Sequence, residues 1–250
     1  MSDIARSKEK NGRFVIFGLV IFALIIIIPF LSHSIWKSSG SNEWRLKIDK
    51  DDIKVWSLKS PGTCLLKLKA QWRLKSKLGD VVYFMRDPTG ADDFGASDVR
   101  IFEKQESPSG YSAYYAFKVD MPFPLGKREF VMLIHDSQDR ETGTVEVNVL
   151  AAPNKVHPST DCVRIKHLNN IWRFTPLKNG ELACEAIQDM NVSEPLPYFI
   201  SNLIMPNALH KNLKVMEELL KSKKYTNTDV AYIKEFEEIA ESKHALSTTD

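Results

Sequence analysis

Apolar and polar positions alternate with a period of two through most of the chain after Trp44, and that alternation predicts strands. Breaks at Gly, Pro, Asp and Asn divide it into nine runs, near 44–49, 53–58, 64–73, 97–106, 111–120, 127–137, 143–151, 162–175 and 180–190. In YYAFKVD the side chains of Tyr115, Phe117 and Val119 share one face, and in TVEVNVLA those of Val145, Val147, Val149 and Ala151 share another. Polar residues oppose both sets, so these strands are expected to be wet on one side. ELACEAIQDM places Leu182, Cys184, Ala186, Gln188 and Met190 on one face, with small side chains at its middle. The run at 127–137 is apolar on both faces, which leaves its inward parity open.

The period changes to that of a helix at KLGDVVYFMRD, residues 77–87, and again at EPLPYFISNLIMPNALHKNLKVMEELLKS, residues 194–222. In the second helix Leu196, Phe199, Ile200, Leu203 and Ile204 form an apolar stripe before Pro206, continued by Leu209, Leu213, Met216 and Leu220. Pro206 cannot donate to the carbonyl of Asn202 and crowds it, which predicts a kink or a division there. Strands, one helix, a long antiparallel meander and a final helix make an α+β arrangement without βαβ repeats. An apolar helix beside a sheet with small inward residues predicts a helix laid across the concave face of a bent sheet. The tail at 223–250 carries a short amphipathic pattern through Val230, Ile233, Phe236 and Ala240.

Before the strands lies FVIFGLVIFALIIIIPFL, Phe14–Leu31, 18 residues without a charge. As a helix it spans ~27 Å, close to the ~30 Å hydrocarbon core of a bilayer. Arg6, Lys8, Lys10 and Arg13 precede it and only Lys37 and Arg45 follow closely. The positive-inside tendency then places residues 1–13 in the cytoplasm and the domain outside it, on the periplasmic side if the host is bacterial. A cleaved signal peptide ending near SHS at 32–34, giving a secreted or periplasmic domain, stays open. Serine-rich 32–43 reads as a flexible linker, and 44–222 as the folded domain.

The 250 residues are 43% apolar, with 34 Lys and Arg against 32 Asp and Glu and a net charge of +2. No segment concentrates the basic excess that phosphate recognition needs, which argues against a nucleic-acid partner. Three cysteines cannot all pair within one chain; they read as small buried side chains, with a Cys162–Cys184 disulfide as the alternative. HExxH, GxSxG, P-loop and spaced Cys/His motifs are all missing, so neither a metal, a cofactor nor catalysis is expected. His135 beside Asp136 is an adjacent acid–base pair, but neighbours on a strand point to opposite faces.

Two stretches resemble a known family. PFPLGKREFVML, Pro122–Leu133, resembles the entry of START (StAR-related lipid transfer) domains into a central strand. NNIWRFTPLKNGELACEAIQDMNVSEPLPYFISNLIMPNALHKNL, Asn169–Leu213, resembles their closing hairpin and C-terminal helix, including the helix start at Pro197–Asn202. The look is that of the branch containing phosphatidylcholine transfer protein, and it covers Trp44 to Leu220. The resemblance implies a helix-grip fold: a curved antiparallel β-sheet wrapped around a long C-terminal α-helix and enclosing an apolar tunnel for one lipid, phospholipid or sterol-like. Burying each methylene of such a guest contributes ~0.8 kcal/mol.

On that expectation the cavity candidates are Tyr115, Phe117, Val119, Met132, Ile134, Val147, Val149, Val163, Ile165, Cys184, Ala186, Phe199, Leu203 and Asn207, each of which also reads as plain core packing. Met121, Phe123 and Leu125 make the loop at 121–126 too apolar for a solvated turn, and membrane contact is its functional reading. Arg128, Arg164 and Arg173 are the candidates for a lipid headgroup, with Arg128 also reading as a structural residue at a strand entrance. The expected partners are a lipid and a membrane, and the domain is expected to be monomeric. It would carry or present the lipid, with a tethered sensor and a cyclase-like enzyme as alternatives.

Overall fold

A computed structural model describes residues 21–22, 27–28, 30–194 and 197–239. The apolar run Phe14–Leu31, Leu196 and Ala240 fall wholly or largely outside them. Among the described residues no helix is long and apolar enough to cross a membrane. The chain forms two compact units, one of the residues up to Glu43 with Lys59–Cys64, the other of Trp44–Leu58 with Leu65 onward.

In the first unit residues 30–38 are helical (α1), so most of the stretch expected as a flexible linker is ordered helix. Its serines bond back to the helix instead of loosening it: Ser38 Oγ donates to Ser34 O at 3.0 Å and Ser39 Oγ to Trp36 O at 2.7 Å. The Trp36 indole N–H donates to the Cys64 carbonyl at 2.9 Å. Gly40, at φ +119°, ends the segment where a Cβ would lie 2.3 Å from Lys59 O.

The second unit is built of β1 (Trp44–Lys50), β2 (Ile53–Leu58), β3 (Lys67–Leu74), α2 (Leu78–Arg86), a 3-10 helix (Pro88–Phe94), β4 (Ala96–Ser107), β5 (Gly110–Met121), β6 (Gly126–Gln138), β7 (Val145–Ala151), β8 (Val163–Arg164), β9 (Leu168–Pro176), β10 (Leu182–Met190), α3 (Tyr198–Leu220) and a 3-10 turn (Lys223–Tyr225). The strands form one sheet in the order β1-β2-β3-β10-β9-β7-β6-β5-β4, antiparallel throughout, with two-residue β8 parallel to β6 beside the path. The expected strand at 162–175 is thus split. After Arg164 the chain leaves the β6 edge, where Ile165 N donates to Glu129 O at 2.8 Å, and begins a new strand against β7.

Nine strands at ~4.8 Å spacing make a sheet far wider than the ~10–12 Å of one helix. Yet Val55 on β2, Ala186 on β10, Val147 on β7 and Tyr115 on β5 all belong to one buried cluster with Leu209 and Leu213 of α3. Only a strongly curved sheet brings those faces onto one helix. Helix α3 packs on β1, β2 and β3 at one side and reaches the 3-10 helix and α2 at the other. It runs unbroken through Pro206, so the proline does not divide it. Edge strand β4 carries two irregularities, at 97–100 and 102–105, with Asp98 and Glu103 at positive φ, which disfavours pairing with another chain.

The tail departs from its expected form. Residues 236–239 are helical but 230–235 are not. Their backbone is claimed by β6 instead: Lys234 N donates to Gln138 Oε1 and Gln138 Nε2 to Lys234 O, both at 2.7 Å. All three cysteines are free thiols, so the alternative disulfide is not formed.

Candidate functional site

Between the concave face and α3 lies a cavity of about 350 Å³. One wall is β5 and β6. Alternation turns Tyr115, Phe117, Val119 and Met121 inward from β5, and their register partners on β6 bring Phe130, Met132 and Ile134 beside them. Phe117 and Phe130, directly opposite in register, stack at 5.1 Å and 13°. Val99 joins from β4 within its first bulge, a place where an extra residue re-aims a side chain. Trp172 of β9 and Gln188 and Met190 of β10 form the opposite wall. Helix α3 roofs the cavity with Met205, Ala208, Leu209, Asn212, Leu213 and Met216, and Phe84, Met85 and Phe94 close the far end. Of the seven methionines in the chain, the six beyond Met1 all line this space. Flexible thioethers let a wall fit guests of irregular shape.

The end near α2 is tied down by the tail. Asp87, in the cavity lining, accepts hydrogen bonds from Lys224 Nζ at 2.5 Å and from Thr89 Oγ1 and Tyr225 O–H at 2.8 Å. Burial alone raises its pKa, but those donors outweigh it and hold the carboxyl down at about 2. Gly90 leaves room for this latch, since a Cβ there would lie 2.3 Å from the Tyr225 hydroxyl oxygen. Tyr115 O–H donates to Arg86 O at 2.8 Å and shares a contact of the same length with the Tyr111 hydroxyl. Burial pushes the Tyr115 phenol well above its usual range. Gln188 differs: its Oε1 has no hydrogen-bond partner among the described residues. A buried unmet acceptor of that kind costs about 1–3 kcal/mol. Gln188, Met190 and Met205 also line a cleft of about 10 Å³ beside Pro206 and Ser201.

Tyr115, Phe117, Val119, Met132 and Ile134 therefore stand together in the cavity wall, with Met121 from the loop group. Val147, Val149, Ile165, Cys184 and Ala186 are buried core residues outside the lining, and Val163 is half-buried in β8. Cys184 and Ala186 share the face of Gln188, but the void lies at the Gln188 end of the strand. The assignments of Phe199, Leu203 and Asn207 to the wall are corrected: Phe199 is 60% and Leu203 74% exposed, and Asn207 faces solvent too. The inward row of α3 is Met205, Leu209, Leu213, Met216 and Leu220, and positions 199, 203 and 207 lie on the outer side of the same helix.

In the loop, Phe123 is 95% exposed, while Leu125 is 4% exposed and belongs to the core, so it cannot offer a membrane contact. Arg128 is buried and donates from Nε to Val192 O at 2.8 Å and from Nη1 to the carbonyls of Leu125 and Lys127. Burial draws its pKa down. Arg164 is buried against Glu129 at 2.7 Å and also donates to the carbonyls of Pro153, Val156 and His157. Arg173 bonds Glu146 at 2.8 Å and Glu185 at 3.1 Å, on the sheet face opposite Trp172 and Phe174. The headgroup assignment is corrected accordingly: none of the three arginines lines the cavity, because each is spent on fixing a loop or a strand pair. His135 is exposed and Asp136 is buried in a bidentate pair with Arg86 at 2.8 and 2.5 Å, so they do not act as a dyad.

No protein-family model matches this chain, and no curated protein matches it. Solved structures do. A fragment of the STAR-related lipid transfer protein from Xanthomonas axonopodis superposes with a TM-score of 0.65 at 20% identity, covering 72% of this chain and 99% of that one. Human STARD10 gives 0.61 at 15% identity, covering 74% and 76%. Human StAR-related lipid transfer protein 5 gives 0.58 at 14%, covering 81% and 96%. The fold is that of the START domains: a large curved antiparallel sheet closed by a C-terminal helix.

Proposed function

We propose that the chain binds one lipid in the cavity under α3 and carries or presents it at a membrane, without catalysing a reaction. The observation that carries this reading is the apolar space of about 350 Å³ under α3, lined by six methionines, within the ~300–1,000 Å³ usual for ligand sites. Lipid transfer is named for the Xanthomonas protein and for human StAR-related lipid transfer protein 5, which share the fold, and this supports the reading. Anchoring through Phe14–Leu31, with residues 1–13 cytoplasmic and the domain outside, is the arrangement we favour, and a monomer suffices for it. Phe123, Phe199 and Leu203 offer an apolar contact to the bilayer. Arg128 supports their joint use, because it ties the loop carbonyl of Leu125 to that of Val192, shortly before α3.

The test is solvent extraction of the purified chain and mass spectrometry of what co-purifies, followed by vesicle-to-vesicle transfer. One lipid per chain and accelerated transfer are expected; stoichiometric binding without transfer would mark a sensor. Absence of any bound or bindable lipid would falsify the cavity reading.

A further inference from the structure

Gln188 sits on β10 between Leu68 of β3 and Asn170 of β9. Leu68 has nothing to donate to it, and the amide of Asn170, whose Oδ1 accepts from Asp189 N at 3.2 Å, makes no hydrogen bond to Gln188 Oε1. Gln188 is only 8% exposed, lines the cavity, and its Oε1 is unpartnered among the described residues. A primary amide presents an acceptor and donors together, and the small group that complements it is a hydroxyl, which donates and accepts through one atom.

The charge of the wall narrows the guest further. Among the described residues no Lys, Arg or His lines the cavity, and the one acid among them, Asp87, is neutralised by Lys224. A phosphate or carboxylate drawn to Gln188 would be buried without a cation, which is costly. Size adds a third limit. At ~30 Å³ per methylene-sized group, the share one water takes in the liquid, 350 Å³ holds roughly a dozen such groups. Within that space a single chain or a compact ring system fits, and two full-length acyl chains do not.

We infer that Gln188 reads the guest, and that the guest is a neutral lipid with a hydroxyl at its buried end and one hydrocarbon moiety; this rests on the lipid-binding reading of the cavity. Equilibrium dialysis tests it, using tritiated 1-dodecanol, dodecyl methyl ether and dodecyl phosphate against the full chain in lipid nanodiscs, with empty discs as the blank. Dodecanol is expected to bind about ten- to a hundredfold more tightly than the ether or the phosphate, the range set by one made or unmade buried hydrogen bond. In Gln188→Leu the preference for the alcohol over the ether falls to about one while ether binding is kept. Removing the unmet amide also raises the melting midpoint of the lipid-free variant by about 2–4 °C. Equal binding of alcohol and ether by the unmodified chain, or an alcohol preference that survives Gln188→Leu, overturns the inference and leaves the lipid cavity standing. Binding of none of the three overturns the cavity reading and this inference with it.

Discussion

Asp87 shows how a single side chain couples the cavity to the tail. Its carboxylate is held at about pKa 2 against an ordinary 3.8, so it is a folded-state group of depressed pKa. Such a group contributes stability that is complete above about pH 4 and is lost as pH falls through about 2. Asp87→Asn should therefore lower the thermal midpoint at pH 7, and its deficit relative to the parent should shrink as pH drops from 4 to 2. Parallel melting curves of the two proteins across that range would count against the latch. The wall residues were partly legible at this scale. Tyr115, Phe117 and Val119 could be grouped because a strand's period of two assigns faces without knowledge of the fold. Trp172, Val99 and Phe94 could not, since nothing local says that they meet. The clustering of six methionines was equally hidden, because they are scattered from position 85 to position 216.

Helix α2 is completed by a group far away in sequence. Lys77 occupies its N-cap and offers no acceptor, and the N–H groups of Leu78 and Gly79 donate instead to the two oxygens of Glu235, both at 3.0 Å. Asp80 in the same first turn accepts from Thr228 N at 2.8 Å. Glu235→Ala should cost about 1 kcal/mol, roughly 2–4 °C in melting midpoint, whereas Glu237→Ala, on the exposed side, should be neutral. Equal effects of the two substitutions would show that the tail does not cap α2. Helix α3 teaches the converse lesson about periodicity. Its two apolar rows, Phe199 with Leu203 and Met205 with Leu209, Leu213 and Met216, are out of phase, so only one of them can face the sheet. The longer row wins because it buries more apolar surface against the core, and the shorter one is left outside.

The larger unit presents a concave sheet, a helical roof and exposed apolar side chains at Phe123, Phe199 and Leu203, which form the proposed docking face. Phe123→Asp combined with Leu203→Asp should reduce liposome association several-fold while leaving dodecanol binding intact; flotation unchanged from the parent would remove the proposed docking face. The sequence by itself determined the strand order of local hairpins, the inward faces of β5, β7 and β10, and the existence of one long terminal helix, because these follow from side-chain periods over a few residues. Only the tertiary structure decided that β10 pairs with β3, that serine-rich 32–38 is helix, that three arginines are spent on carbonyls and carboxylates, and where the cavity lies. A void is a shortfall of volume summed over facing elements. Around the small residues Cys184 and Ala186 the core is filled, while the larger ring and thioether side chains farther along surround space instead, a balance that no single stretch of chain encodes.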